Sequence, residues 1–319
     1  MDRDKNIDNL RGLAMLAMII SHTTAYFLKD KLAFLIWDIT EFAVPIFLFC
    51  SIYIFYQKLK TIDWSSFLKY LKKRLSRLLL PYYLFLLVYF FLIYFFEPKK
   101  LSFHHFFSNI FLYGGLSLNW LVLLFIYLIF LMPFIFLLEE RKLWFYLYGA
   151  FSLVSSLVFV FISPINYRLI MWLPWSLIIY LTIYVIKNKN NNKRLFLLAA
   201  ISLTVFALLY FVEKKTGHKL IQYANKYPPN LYHLSYGAFS IVFFFWLSKK
   251  KIFQFLSFDK LLNFFSINSY SLFFIHNLVI LILNWLNIRF FNWILFFIFV
   301  IAISMILQFF LNVAKKLFV

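Results

Sequence analysis

The first apolar stretch of the chain carries an arginine at its entrance, Arg11, and a histidine within it, His22. The two are 11 residues apart. On an α-helix that is about three turns plus roughly 20°, so both lie on one face with about 16 Å of rise between them. Asp8, three residues before Arg11, falls on the same face and within pairing reach of it. An ionisable side chain inside an apolar span is costly and marks a functional site by default. A neutral imidazole at that place can take a proton from a reacting hydroxyl, which makes His22 a candidate general base. The spacing alone leaves a second use open: a histidine bonded to a neighbouring helix for packing.

A second group is basic. Lys72, Lys73, Arg74 and Arg77 stand directly before the apolar run Leu78-Leu79-Leu80. Arg74 and Arg77 are three apart and share a helix face. Guanidinium groups grip phosphate bidentately, although a basic run in this place equally sets membrane topology or meets anionic headgroups. Asp38 and Glu41, also three apart, share a face in the second apolar run and are able to hold the second nitrogen of His22 or to sit at an interface. His104-His105 has no further ligand nearby, so no metal site is expected. Cys50 is the only cysteine and reads as a buried hydrophobe.

The elements that must position these groups follow from composition. Of 319 residues, 64% are hydrophobic and only 14% charged, against about 25% charged in a soluble domain. Such a chain belongs in a lipid bilayer. Its net charge of +20 does not point to nucleic acid, because the basic residues lie in short runs between apolar stretches. A span needs about 20 apolar residues. That rule predicts an all-α, polytopic chain with ten spans, near 9–28, 34–56, 78–96, 118–138, 143–162, 168–186, 195–212, 230–248, 268–286 and 292–313. In the phase that puts both termini in the cytoplasm, 21 of the 32 Lys and Arg fall inside and ten outside, as the positive-inside rule requires. No A-x-A-like cleavage site follows the first span, so it reads as a retained helix. The loops are short, so residues 1–319 read as one membrane domain. The stretch 57–77 is the longest cytoplasmic piece, where Asp63 or Ser65 is placed to cap a short surface helix.

Asn6-Ile7-Asp8-Asn9-Leu10-Arg11-Gly12-Leu13-Ala14, with His22 following, closely resembles the opening motif of acyltransferase family 3, integral membrane enzymes that acylate surface glycans and lipids. Arg74-Leu75-Ser76-Arg77 at the start of the third span is similar to the family's arginine pair. Ser269-Tyr270 followed by His276 looks like its late serine–tyrosine–histidine motif. Asn119-Trp120-Leu121, then Tyr127 and Pro133, resembles the fourth-span region more loosely. One departure is Ile52 after Ser51, where the family has a glycine.

The resemblance implies an O-acyltransferase of the bacterial cytoplasmic membrane. It would move an acyl group, most often acetyl, from acyl-CoA to a hydroxyl of a surface polysaccharide or lipid-linked glycan. His22 would be the base, with Arg11 and Asp8 at the helix entrance. Arg74, Arg77 and Lys73 would hold the CoA phosphates. His276, Ser269, Tyr270 and Glu41 are further candidates. Some relatives carry an extracytoplasmic hydrolase-like domain. With the last span ending close to Val319, an outward relay is expected to use partner proteins of a polysaccharide pathway or the membrane domain itself. The alternative reading is an exporter or flippase of a surface polysaccharide, which needs a polar through-path and no acyl donor. A purely structural subunit would tolerate substitution of Arg11 and His22.

Overall fold

The structure is a computed structural model that describes residues 4–58, 64–250, 252–255 and 258–317. Among these there is no strand; the helices are α1 (Lys5–Thr24), α2 (Lys31–Ile39), α3 (Ala43–Lys58), α4 (Trp64–Phe96), α5 (Phe103–Ile110), α6 (Asn119–Glu140), α7 (Lys142–Val158), α8 (Tyr167–Ile170), α9 (Trp172–Trp175), α10 (Leu177–Lys187), α11 (Asn192–Thr216), α12 (Leu231–Lys249), α13 (Ile252–Phe255), α14 (Asp259–Ile267), α15 (Ser269–Trp285) and α16 (Trp293–Leu317). Seven helical segments are long and apolar enough to cross a membrane, or eight when the bent pair α14–α15 counts as one crossing. The chain is a multi-pass membrane protein. Among the described residues every apolar run predicted as a span is largely helical; α1 is too polar to count as a crossing, α7 is too short and α14–α15 is bent, and these three separate the seven from the expected ten.

Two boundaries differ from expectation for local reasons. The basic run 69–77 is not a separate surface helix: α4 runs unbroken for 33 residues from Trp64, because its Leu, Lys and Arg are good helix formers. The capping position Asp63 lies outside the described residues. The first helix ends at Thr24 rather than near 28. Thr23 and Thr24 turn their hydroxyls back onto the Ile19 and Ile20 carbonyls, at 2.9 and 2.8 Å. Asp30 then starts α2 by accepting from the amides of Leu32 and Ala33. His22 therefore stands in the last turn of its helix, not in the middle of a span.

The helices divide into two compact units, Met1–Phe47 with Phe244–Val319 and Leu48–Phe243. In the first, α1 packs on α14, α2, α15 and α16. Asp4 caps α1 by accepting from the Asn6 amide. Gly12 faces the backbone of α14, where a Cβ would overlap the Leu262 carbonyl. No other residue permits that approach, which accounts for the glycine of the Leu-Arg-Gly motif. Between α14 and α15 the chain bends by 85°. The break frees backbone groups that lipid cannot satisfy. Asn268 donates to the Phe264 carbonyl at 2.9 Å, Ser271 donates to the Asn268 carbonyl at 3.1 Å, and Gln308 of α16 donates to Asn268 Oδ1 at 3.2 Å. Gln308 also accepts from Ser271 at 2.6 Å and is itself fully buried.

In the second unit, loop 111–118 is held by side chains. Asn119 donates to Asn109 Oδ1 and to the Gly114 carbonyl, at 2.9 and 2.8 Å. The Tyr82 hydroxyl lies 2.6 Å from the Asn109 carbonyl and 2.9 Å from Asn119 Oδ1. Arg168 donates to the Leu112 carbonyl at 2.8 Å, which ties this loop to the one before α8. Gly115 has φ +73°, and a Cβ there would meet the Asn109 amide. His105 is turned inward to the Tyr89 hydroxyl at 3.1 Å rather than exposed beside His104. Burial, then the charges of Lys100 and His104, hold it below the ordinary imidazole range. At the opposite end of α6, Glu139 pairs with Lys187 and accepts from the Tyr56 hydroxyl at 3.3 Å.

Candidate active site

The residues of the first unit converge at one place. His22, half-buried on α1, lies with Nδ1 2.8 Å from Nε2 of His276 on α15. The ring centroids are 5.0 Å apart and the planes only 22° from parallel. His276 is wholly buried, and its Nδ1 is 2.7 Å from the Leu272 carbonyl one turn earlier. Phe273 flanks both rings, at 6.4 Å from His22 and 5.9 Å from His276. Two separate motifs, 254 residues apart in the chain, thus form one dyad.

The partners assign the protons. A carbonyl oxygen only accepts, so His276 Nδ1 carries the hydrogen and Nε2 keeps its lone pair. Asn277 confirms the direction, since its amide nitrogen lies 3.2 Å from the same Nε2 and can only donate. His22 must then donate from Nδ1, which leaves its Nε2 as a lone pair. The chain of bonds from Leu272 through His276 thus fixes the tautomer of His22.

Glu41 approaches this centre through a neighbour. It is buried, 3% exposed, and accepts from the hydroxyl of Ser21, which precedes His22, at 3.3 Å. Asp8 and Arg11 are at the other end of α1. Asp8 accepts from Ser266 of α14 at 3.0 Å. Among the described residues no hydrogen bond or ion pair joins Arg11 to Asp8, so the expected pairing on one helix face is replaced by an interhelical bond. The reason is reach: α14 passes so close at Gly12 that Ser266 occupies the Asp8 carboxylate. Arg11 is half-buried, and about 16 Å of helix separates it from His22. Ser269 and Tyr270 form the first turn of α15, about 9–10 Å along the axis from His276. Tyr270 packs edge-on against Phe274 at 4.9 Å. Of this motif, Ser269 and Tyr270 therefore stand at the bend and His276 in the dyad.

Arg74, Arg77 and Lys73 belong to the second unit. Lys73 and Arg77 are exposed, and Arg74 is half-buried with its guanidinium 5.6 Å from the Tyr70 ring centre. Their α4 positions put three cations within one turn and a half. Sequence reasoning missed Ser266, Asn277 and Gln308; each is a polar side chain inside an apolar run, the only signal that marked it.

A family model for an acyltransferase domain, that of acyltransferase family 3, matches residues 4–313. The chain belongs to acyltransferase family 3. The match takes in the dyad, the α14–α15 bend and the basic turn of α4, so the motifs that carried the resemblance fall inside one alignment of essentially the whole chain. No curated protein and no solved structure matches this chain.

Proposed function

We propose that this acyltransferase is an O-acyltransferase of the bacterial cytoplasmic membrane, moving an acetyl group from acetyl-CoA to a hydroxyl of a surface polysaccharide or its lipid-linked precursor. The observation that carries the reading is the His22–His276 dyad, in which the bond from His22 Nδ1–H to His276 Nε2 at 2.8 Å puts the lone pair of the His22 ring on Nε2. His22 Nε2 takes the proton of the acceptor hydroxyl as the oxygen attacks the thioester carbon. The tetrahedral intermediate expels CoA thiolate, and the His22 imidazolium returns the proton to that sulfur. One ester C–O bond forms and one C–S bond breaks. His276 is a positioning residue: it keeps the proton on the far side of the His22 ring and accepts from it as positive charge grows. Arg74, Arg77 and Lys73 bind the pyrophosphate and 3′-phosphate of CoA, and Arg11 contacts the donor.

Purified protein in detergent tests this with acetyl-CoA titrated into wild type, Arg74→Ala/Arg77→Ala and His22→Ala. Wild type binds; the arginine pair loses binding; His22→Ala binds but transfers roughly 10²–10⁴-fold more slowly. A folded wild type that binds no acetyl-CoA overturns the donor assignment.

A further inference from the structure

The second unit holds a polar, aromatic-walled cluster to which the mechanism assigns no role. Loop 217–230, between α11 and α12, is locked by a buried carboxylate. Glu213, with no exposure, accepts from Asn230 at 2.9 Å and from Asn225 at 3.2 Å. A buried carboxylate persists only when its bonds are satisfied, and here they fix the loop. The lock sets the loop against the start of α6. The Lys226 ammonium lies 5.1 Å from the Trp120 ring and 5.5 Å from the Tyr227 ring. Trp120 meets Tyr227 edge-on at 5.0 Å and stacks on Trp175 of α9 at 6.4 Å. Behind Trp175 stands His233 of α12, ring to ring at 5.7 Å.

Two polar atoms of this cluster have no partner: Trp175 Nε1 and His233 Nε2. Both side chains are fully buried. His233 Nδ1 lies 3.2 Å from Gln222 Oε1, an acceptor, so Nδ1 carries the hydrogen and Nε2 is a lone pair. The indole N–H only donates. Buried polar groups are satisfied in nearly every native structure, and each exception needs an occupant or a reason. Here a donor and an acceptor sit on two rings in contact. One hydroxyl meets both requirements: it accepts from Trp175 and donates to His233. Tyr227 also bounds a cavity of 160 Å³, mostly polar, whose lining includes Ser163, His218, Lys219, Asn225 and Asn230. Trp120, Trp175 and His233 do not line this hollow, and Tyr227 is the ring it shares with the aromatic group, so a ligand with many hydroxyls and apolar ring faces would pass from the hollow to the nitrogens beside Tyr227.

We propose that Trp175, His233 and the aromatic group Trp120 and Tyr227 form a saccharide subsite, in which one sugar hydroxyl bridges Trp175 Nε1 and His233 Nε2. That this saccharide is the acyl acceptor rests on the acyl-transfer reading above. The subsite itself stands on the unpartnered nitrogens.

The test titrates three pyranosides, the methyl glycosides of glucose, galactose and N-acetylglucosamine, into full-length protein in detergent by calorimetry. Trp175→Phe keeps the ring and deletes the N–H, and His233→Phe deletes the lone pair. At least one glycoside binds wild type, and each variant weakens it about tenfold. Trp175→Phe leaves a smaller ring in a buried site and His233→Phe also gives up the Nδ1–H bond to Gln222, so the unliganded melting temperature of each variant is measured as the control for folding. A folded wild type that binds none of the three overturns the subsite. So does equal binding by wild type and both variants. Acetyl-CoA titrated into the same samples separates the two readings. Its binding is independent of Trp175 and His233, so its failure counts against the donor assignment and not against the sugar site.

Discussion

At the scale of single residues, the dyad explains why two histidines are needed where one base would suffice. An unassisted imidazole exchanges freely between two tautomers, and only one of them presents Nε2 as a lone pair. The Leu272 carbonyl, at 2.7 Å from His276, removes that choice. His276→Phe keeps a flat ring in the buried site and deletes the acceptor for His22 Nδ1–H. We expect acyl transfer to fall by about 10²-fold or more, with acetyl-CoA binding retained. Nitrogen-15 chemical shifts of His22 should move from a single Nδ1–H tautomer to a mixture. An unchanged His22 spectrum in this variant would sink the positioning role, whatever happened to the rate. His22 was legible in the sequence because it interrupts an apolar run. Its partner was legible only as part of a distant motif, since spacing says nothing of which helix faces which.

At the scale of elements, the joint between α14 and α15 is the least legible feature. The sequence predicts a span near 268–286 and has no proline or glycine over 259–285 to announce a bend, yet the chain turns by 85° between α14 and α15. Two of the polar groups that stabilise the turn, Asn268 and Ser271, are at the joint itself, and the third comes from far along the chain. Gln308 of the last described helix closes the Asn268 and Ser271 side of the bend. Replacing Gln308 with Leu leaves those groups unsatisfied and should cost about 1–3 kcal/mol per orphaned group. The expected result is a lower melting temperature and slower transfer with acetyl-CoA binding unaffected, because Arg74 and Arg77, proposed to hold the CoA phosphates, lie on α4. Retention of wild-type transfer at a lower melting temperature would show that the bend does not aim His276. The Gly12 contact works at the same scale. That glycine was visible in the sequence as part of Leu-Arg-Gly, but its reason, the α14 backbone against it, belongs to tertiary structure.

At the scale of the whole molecule, hydrophobicity located the helices and charge gave them a direction. The apolar runs coincide with helices because their length and composition leave a chain in lipid no other way to pair its backbone. Their number as crossings was not legible. Whether a polar helix such as α1 or a short one such as α7 spans depends on neighbours that shield it, and a window over residues sees no neighbours. The charge bias predicts that the α6–α7 turn faces the cytoplasm and loop 217–230 the outside. With the single cysteine, Cys50, replaced by Ala, Lys219→Cys should react with an impermeant maleimide in intact cells. Lys142→Cys should react only after permeabilisation. The reverse pattern would invert the orientation and put the sugar subsite on the cytoplasmic face.

The dyad also sets a clock on biosynthesis. His22 leaves the ribosome early, but its partner follows 254 residues later, which is roughly 13–50 s at ordinary elongation rates of about 5–20 residues per second. Even then the bend that aims His276 lacks its staple until Gln308 of α16 enters the bilayer. Chains shorter than α16 therefore carry an unaimed imidazole, and competence for the proposed transfer arrives with that helix.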